Sequence, residues 1–295
     1  MSVAEVRRTT APDGTSLAWR SAGPPSAPWL VLCNGAGCSE EYWTASFVPA
    51  ASRRLRVLWW DYRGHHESKP SPDPRRYRVE DHAQDLLALL DAAGVGSAAF
   101  LGFSLGVQVT LEAYRRRPGA FRALALVSGS AEDPLATFAG LPALRPVLTG
   151  LTALGARIPR VTAQALRFGM AGPLALPVAR WSRFCESDVP EGPFRAYLSK
   201  AGRLLPVAFM RTLRLMADHS ARDVLRSINV PALLIAGLED SMTPAAVMER
   251  MRDALGDVEY LPVRGGRHTL MMTRGAWVAA RLLDFLERRN LLPRD

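Results

Sequence analysis

Lysine is nearly absent from this chain. Lys69 and Lys200 are the only lysines among the 37 basic residues, which give the 295-residue chain a net charge of +9. The arginines are spread along the sequence, and no basic stripe carries the interleaved aromatic residues of a nucleic-acid surface. The charge therefore indicates a bias toward arginine, and we expect no nucleic-acid partner. Attraction to anionic substrates or surfaces stays open.

Cysteine and long apolar runs are also scarce. Cys33, Cys38 and Cys185 are odd in number, irregularly spaced and free of any CxxC pair, which excludes a disulfide framework and argues against a zinc site. No run reaches the roughly 18 apolar residues of a membrane span, and residues 1–16 lack the apolar core of a signal peptide. We therefore expect a cytoplasmic protein with no membrane span.

Short apolar runs alternate with longer helical patterns in residues 1–131 and again in 219–295. Runs of this kind are typical of strands buried on both faces, and their alternation with helices implies parallel pairing through crossover connections. The predicted strands are Ser16–Ser21, Trp29–Cys33, Leu55–Trp60, Ala98–Phe103, Ala123–Val127, Ala232–Ala236 and Val258–Val263. The predicted helices are Val79–Ala93, Val107–Arg116, Ala245–Leu255 and Trp277–Arg288. The fold class is therefore α/β.

Residues 132–218 lack the strand rhythm and read as proline-punctuated helices. We predict a helical cap inserted into a core formed by 1–131 and 219–295. Its apolar residues are Leu135, Phe138, Leu141, Leu144, Leu148, Leu151, Leu154, Leu166, Phe168 and Met170. Two interpretations stay open for them: they line a pocket for a hydrophobic acyl or alcohol group, or they pack on the core.

The candidate nucleophile lies in Gly102-Phe103-Ser104-Leu105-Gly106. This G-x-S-x-G pattern directly follows a predicted strand and precedes a helix-compatible stretch. A strand-turn-helix of this kind holds the serine on a strained bend and needs small residues two positions to either side. The context predicts that Ser104 is an exposed nucleophile at the end of the sheet.

A serine hydroxyl needs a neighbouring base, and the chain offers five histidines. His268 follows the last predicted strand on a glycine-rich loop, from which it can reach the nucleophile. His82 lies in a predicted helix and is expected to be solvated or to cap it. His65 and His66 follow a strand and are candidates for the mouth of a pocket, whereas His219 lies near the end of the insertion.

A carboxylate must orient the base. Asp240 follows the predicted strand Ala232–Ala236 and is favoured for this role. Its neighbour Glu239 and the more distant Asp133, which follows another strand, remain alternatives. With Asp240 the order along the chain is nucleophile, acid, base.

These motifs resemble the α/β-hydrolase superfamily over nearly the whole chain. Asn34-Gly35-Ala36-Gly37 stands where many members have His-Gly-x-x, and Asp61-Tyr62-Arg63-Gly64 matches the D-x-R-G motif, for which we expect a structural role. The resemblance implies a mostly parallel eight-stranded sheet and an oxyanion hole formed by the backbone N–H groups of Ala36 and Leu105. The chain departs from the family pattern at Asn34 and at His66, where glycine is common.

The expected activity is hydrolysis of small-molecule carboxylic esters with a hydrophobic part, through Ser104, His268 and Asp240 and without a metal or organic cofactor. Lactone, thioester or carbon–carbon bond hydrolysis uses the same triad and stays open. A non-catalytic ligand-binding homologue is a further alternative from a different class. Neither the physiological substrate nor the oligomeric state follows from the sequence.

Overall fold

A single sheet of eight strands forms the centre of the protein, as seen in a computed structural model that describes residues 4–136 and 141–293. The strand order is β1-β2-β4-β3-β5-β6-β7-β8, with β2 antiparallel to both neighbours and all other pairs parallel. The strands are β1 (Arg7–Thr10), β2 (Ser16–Ala22), β3 (Trp29–Cys33), β4 (Arg56–Trp60), β5 (Ala98–Phe103), β6 (Phe121–Val127), β7 (Ala232–Gly237) and β8 (Val258–Val263). The predicted α/β class is confirmed.

Helices cover both faces of this sheet. The described α-helices are α1 (Glu41–Thr44), α2 (Phe47–Ala51), α3 (Val79–Ala93), α4 (Leu105–Arg116), α5 (Arg145–Arg157), α6 (Pro159–Ala171), α7 (Ala175–Trp181), α8 (Glu191–Ala201), α9 (Pro206–Leu215), α10 (Arg222–Leu225), α11 (Ala245–Ala254), α12 (Leu270–Thr273) and α13 (Gly275–Arg288). Two apolar clusters, one on each face of the sheet, form the core. Strands β5 and β7 lie between them and are buried along their whole length. Within the described residues, no helix has the length and apolarity needed to cross a bilayer.

Strand β1 was not predicted. Its sequence is Arg-Arg-Thr-Thr, and its burial pattern shows mostly exposed side chains. It pairs with β2 at the edge of the sheet, between Arg7 and Trp19 and between Thr10 and Ser16. An edge strand without a buried face carries no alternating apolar pattern, so only the pairing partner reveals it.

The segment between β6 and β7 contains α5 to α9 and short 3-10 turns, and no strand occurs in its described part. The division into a core and a cap at residues 132–218 stays a prediction. Of its apolar residues, Phe138 lies outside the described residues, and Leu135 is buried. Leu166 and Met170 pack against the core.

Several of the predicted apolar residues do not pack inside the protein. Leu141, Leu151, Leu154 and Phe168 are exposed, Phe168 to 82%. For these four, the interpretation that they pack on the core is wrong, and the lining of a pocket stays a prediction. The spacing of apolar residues shows that a helix is amphipathic, but not which part of the protein its apolar face contacts.

Candidate active site

Ser104 stands on a sharp bend between β5 and α4. Its backbone lies at φ +54° and ψ −118°, a region that non-glycine residues rarely occupy. The bend brings α4 close to neighbouring backbone: a Cβ on Gly106 would lie 2.0 Å from the carbonyl oxygen of Cys33, and one on Gly102 would lie 2.6 Å from that of Gly106. The two glycines are therefore required by close packing around the serine.

His268 and Asp240 meet Ser104 at the carboxyl end of the sheet. Asp240 follows β7 and His268 follows β8, so two neighbouring parallel strands deliver both side chains to one edge. His268 Nδ1 lies 2.9 Å from Asp240 Oδ2 and 3.1 Å from Oδ1, and Nε2 lies 3.1 Å from Ser104 Oγ. Since a carboxylate only accepts, Nδ1 carries the proton and Nε2 is free to accept the serine hydroxyl proton.

The carboxylate of Asp240 is held by the loop that carries it. Its Oδ1 accepts the backbone N–H of Met242 at 2.8 Å and of Thr243 at 2.9 Å. Asp240 and His268 are both buried, with 4% and 6% exposed. These two backbone hydrogen bonds therefore fix the direction of the carboxylate independently of its contact with the imidazole.

The alternative acids lie elsewhere. Glu239 pairs with Arg183 at 2.7 Å and with Arg267 at 3.4 Å. Asp133 accepts the backbone N–H of Leu135 at 2.9 Å and pairs with Arg145. Of the three acids considered, the structure brings only Asp240 to the imidazole.

The other histidines occupy different places. His219 Nε2 lies 3.3 Å from Glu112 in the interior. His66 borders a surface pocket of about 530 Å³ with its Nε2 3.1 Å from the carbonyl of Cys38, whereas His65 is buried. The expectation for His82 was wrong, because it is fully buried against Tyr62 with a ring separation of 4.6 Å.

The loop after β3 is held by hydrogen bonds of Asn34. The side chain of Asn34 donates to the carbonyl of Trp60 at 2.5 Å and accepts from the indole of Trp43, while Tyr62 donates to its carbonyl at 2.7 Å. In the described part of the chain, the N–H groups of Ala36 and Leu105 have no hydrogen-bond acceptor. Both amides are therefore available to an external oxygen.

The D-x-R-G motif connects neighbouring segments. Arg63 makes two bonds to Asp85, at 2.7 and 2.5 Å, and a third to Asp13 at 2.8 Å. These carboxylates raise the pKa of the Arg63 guanidinium even though burial opposes the charge. Asp61 lies 3.6 Å from the buried Arg20. Arg63 thus joins the loop after β4 to α3 and to the turn between β1 and β2.

Glu186 is a buried acid that sequence reasoning missed. It lies between α7 and α8, with 3% exposed. Its carboxylate accepts the N–H of Arg267 at 2.7 Å and the hydroxyl of Thr273 at 2.9 Å, and it also accepts the hydroxyl of Thr269. These contacts lie on both sides of His268 in the sequence. No local motif predicts them, because 81 residues separate Glu186 from Arg267.

A small cavity opens over Ser104. Its volume is about 40 Å³, and it is lined mainly by apolar side chains together with the catalytic candidates. The lining residues are Ser104, Leu105, Gln108, Gly129, Ser130, Pro134, Leu135, Met216, Met242, Thr243 and His268. The Nε2 of Gln108 donates to the carbonyls of Glu132 and Met216, which holds this amide against the end of the insertion.

Comparison with known proteins identifies the class. Residues 28–153 match the sequence model of the alpha/beta hydrolase fold family. The solved enol-lactonase from Burkholderia xenovorans LB400 shares the fold, with a TM-score of 0.77, 24% identity and coverage of 95% of this chain and 99% of that one. The esterase from Thermogutta terrifontis does so with a TM-score of 0.75, 21% identity and coverage of 97% and 99%. The chain belongs to the α/β-hydrolase family and is an enzyme of that class.

Among curated proteins, the sequence is similar to those named carbamate hydrolase RutD. The protein of that name from Pseudomonas savastanoi pv. phaseolicola (strain 1448A / Race 6) is 30% identical over 265 residues, which cover 90% of this chain and 95% of the relative. The one from Variovorax paradoxus (strain S110) is 28% identical over 266 residues, covering 90% and 94%. The similarity therefore extends over nearly the whole of both chains.

Proposed function

We propose that this enzyme hydrolyses small carboxylic esters through Ser104, His268 and Asp240. The observation that carries the proposal is the continuous hydrogen-bonded relay from Asp240 through His268 to Ser104, with the serine on a strained bend. A serine, an imidazole and a carboxylate in this arrangement suit nucleophilic acyl transfer.

The reaction follows from this geometry in two steps. Ser104 Oγ attacks the carbonyl carbon while His268 Nε2 takes its proton, and Asp240 stabilises the imidazolium. The N–H groups of Ala36 and Leu105 stabilise the oxyanion, where one such donor is worth about 3 kcal/mol. His268 then protonates the leaving alcohol. Water attacks the acyl-enzyme while His268 takes its proton, and His268 returns that proton to Ser104 Oγ as the acid leaves.

The cavity favours short acyl groups. A volume of about 40 Å³ has room for only a few water molecules. Leu135, Met216 and Met242 line it and suit an apolar group, but a long chain requires them to move. We therefore expect acetyl and butyryl esters to react faster than octanoyl esters.

A carbamate is the second candidate substrate class. The similarity to proteins named carbamate hydrolase covers about nine tenths of both chains. A carbamate carbonyl can be attacked by the same serine, and its amino group is smaller than most acyl chains. The attack by Ser104 is then the same, but the covalent intermediate is a carbamoyl-enzyme instead of an acyl-enzyme.

Covalent labelling tests the nucleophile. A fluorophosphonate probe should modify the wild-type protein at Ser104, and Ser104→Ala should remain unlabelled. Ser130, which also lines the cavity, provides the matched control, since Ser130→Ala should label like the wild type. Labelling that persists in Ser104→Ala contradicts the assignment.

A substrate panel then separates the two classes. We expect p-nitrophenyl acetate and butyrate to be hydrolysed, with kcat lower by about 10⁴-fold or more in Ser104→Ala. A parallel assay with p-nitrophenyl N-alkylcarbamates tests the second class. It measures the rate at which the carbamoyl group is released from Ser104. Rates on every ester that equal those of Ser104→Ala overturn ester hydrolysis, even if the probe still labels the serine.

A further inference from the structure

Exposed apolar side chains are concentrated on one segment of the protein. Thirteen large hydrophobic residues are exposed in the described part of the chain, and ten of them lie between residues 141 and 181. These ten are Leu141, Val147, Leu151, Leu154, Ile158, Val161, Phe168, Leu174, Val178 and Trp181. Monomeric proteins rarely expose so much apolar surface in one place without a use for it.

The exposed residues follow the helical repeat. On and just after α5, Val147, Leu151, Leu154 and Ile158 are spaced by four, three and four residues, so they lie along one face. At α7, Leu174, Val178 and Trp181 repeat the pattern, with Trp181 exposed to 85%. Helix α6 lies between them and contacts both α5 and α7. Helix α6 exposes Val161 and Phe168, so each of these three contacting helices carries solvent-facing apolar side chains.

The same segment is purely basic. Between Asp133 and Glu186 the sequence contains six arginines and no aspartate or glutamate. Arg145, Arg180 and Arg183 pair with acids outside this stretch. The remaining three, Arg157, Arg160 and Arg167, are exposed and have no ion pair within residues 4–136 and 141–293. Positive charge thus lies beside these apolar side chains without internal compensation.

We propose that the surface of α5, α6 and α7 docks on an anionic phospholipid bilayer. Amphipathic helices that combine exposed apolar residues with arginine lie in the lipid headgroup region, where apolar burial and attraction to anionic lipids add. A tryptophan such as Trp181 is well suited to that boundary, because its ring is apolar and its N–H is polar. This inference is independent of the substrate class proposed above.

A second copy of the chain is a poorer occupant of this surface. A two-fold symmetric dimer places the same patch of both subunits face to face. Arg157, Arg160 and Arg167 would then meet their own counterparts, with no acid in the segment to neutralise them. Anionic headgroups supply the missing negative charge, so charge complementarity favours the bilayer.

Vesicle flotation tests the proposal with the full-length protein. We expect it to float with vesicles of phosphatidylcholine and phosphatidylglycerol and to remain unbound with phosphatidylcholine alone. Binding should weaken as salt is added, because salt screens charges near the bilayer surface. Equal binding to both vesicle types, or none to either, overturns the proposal.

Two double variants separate the charged and the apolar contributions. Arg160→Gln with Arg167→Gln should weaken binding by roughly 25-fold, since each arginine near an anionic surface contributes about fivefold. Phe168→Ser with Trp181→Ser should also reduce binding, because their exposed rings are lost. The matched controls are Arg226→Gln and Trp277→Ser, exposed residues outside the segment that should leave binding unchanged.

The state of the protein in solution and its activity complete the test. All four variants should hydrolyse a soluble short-chain ester like the wild type, so a loss of vesicle binding is not a loss of folding. If the double variants bind vesicles as the wild type does, the surface is not the docking site. If light scattering shows that the wild type is a dimer and the apolar variant a monomer, the surface belongs to a second copy and the proposal is wrong.

Discussion

His268 is held by more of the protein than the two residues it contacts through its ring. Tyr42 donates its hydroxyl to the carbonyl of His268 at 3.2 Å, and the imidazole packs beside Phe103 and Phe184. Glu186 accepts hydrogen bonds from Arg267 and Thr269, the residues on either side. The base is thus positioned partly by the helical segment between β6 and β7, although its loop belongs to the sheet.

Removing the Glu186 carboxylate should misplace the base. We expect Glu186→Ala to lower kcat by about 10²-fold with little change in KM, because small errors in placing a catalytic group cost about that much. Glu186→Gln keeps one acceptor oxygen for Arg267 and can donate to the two threonine hydroxyls, so it should retain most of kcat. Steady-state kinetics on a short ester checks both variants.

The two variants distinguish positioning from charge. If Glu186→Gln is as slow as Glu186→Ala, the negative charge matters rather than the hydrogen bonds, and the positioning role is wrong. Glu186→Ala also leaves the part-buried N–H of Arg267 without its acceptor, which costs up to about 1–3 kcal/mol. Urea unfolding of both variants shows whether the loss of kcat exceeds what this destabilisation explains.

At the scale of the element, the bend from β5 into α4 depends on contact between backbones. Gly106, the second residue of α4, lies against the carbonyl of Cys33 at the end of β3, so no side chain fits between helix and strand. The two glycines on either side of Ser104 therefore allow the helix to begin directly above the sheet. This close approach places the Leu105 N–H and the serine hydroxyl at the same strand end.

The same substitution should have opposite effects at two helical glycines. Gly106→Ala puts a Cβ 2.0 Å from a backbone oxygen, so we expect loss of about 3 kcal/mol or more of the unfolding free energy. Gly150→Ala in α5 meets nothing within 4 Å and should stabilise by about 0.5–1 kcal/mol. Chemical denaturation measures both, and equal effects at the two sites would refute the steric argument.

At the scale of the whole molecule, the interior holds histidines that favour the neutral form. Burial lowers the pKa of His65 to about 4 and moves the pKa of His82 well below its usual range. The unfolded chain has ordinary histidines with a pKa near 6.5. Between pH 6.5 and pH 4 the unfolded state therefore binds protons that the folded state does not, so these groups lower stability as the pH falls.

His65 alone should cost about 2 kcal/mol of unfolding free energy between pH 7 and pH 5. His65→Asn can keep a donor to the carbonyl of Arg63, which lies 3.1 Å from His65 Nδ1, and should lose that pH dependence. Burial raises the pKa of Asp85 to about 6, so this carboxyl increases stability as the pH falls. Its contribution is the same in the wild type and in His65→Asn and cancels from the comparison. Urea titrations at the two pH values give the difference, and identical pH dependence in both proteins would contradict the assignment.

Local sequence was sufficient for most of the sheet and for the choice of site residues. The bounds of β3, α3, β5 and β8 agree with the predicted ranges to the residue. For β3 and β5 a continuous apolar run reports burial directly, and for α3 a helical repeat does so. Ser104, Asp240 and His268 each follow a strand, and parallel strands end at one edge of a sheet. Their catalytic role stays a proposal that the labelling experiment tests.

Other features were decided by tertiary structure. The exposed strand β1, the burial of His82 and the contacts of Glu186 depend on partners distant in sequence, which no local pattern encodes. The segment between β6 and β7 shows the same limit, since its sequence predicts amphipathic helices but not the direction of their apolar faces. The amino-acid sequence determines which side chains are apolar and therefore favour burial. The packing of segments that are distant in sequence determines which of these side chains are buried.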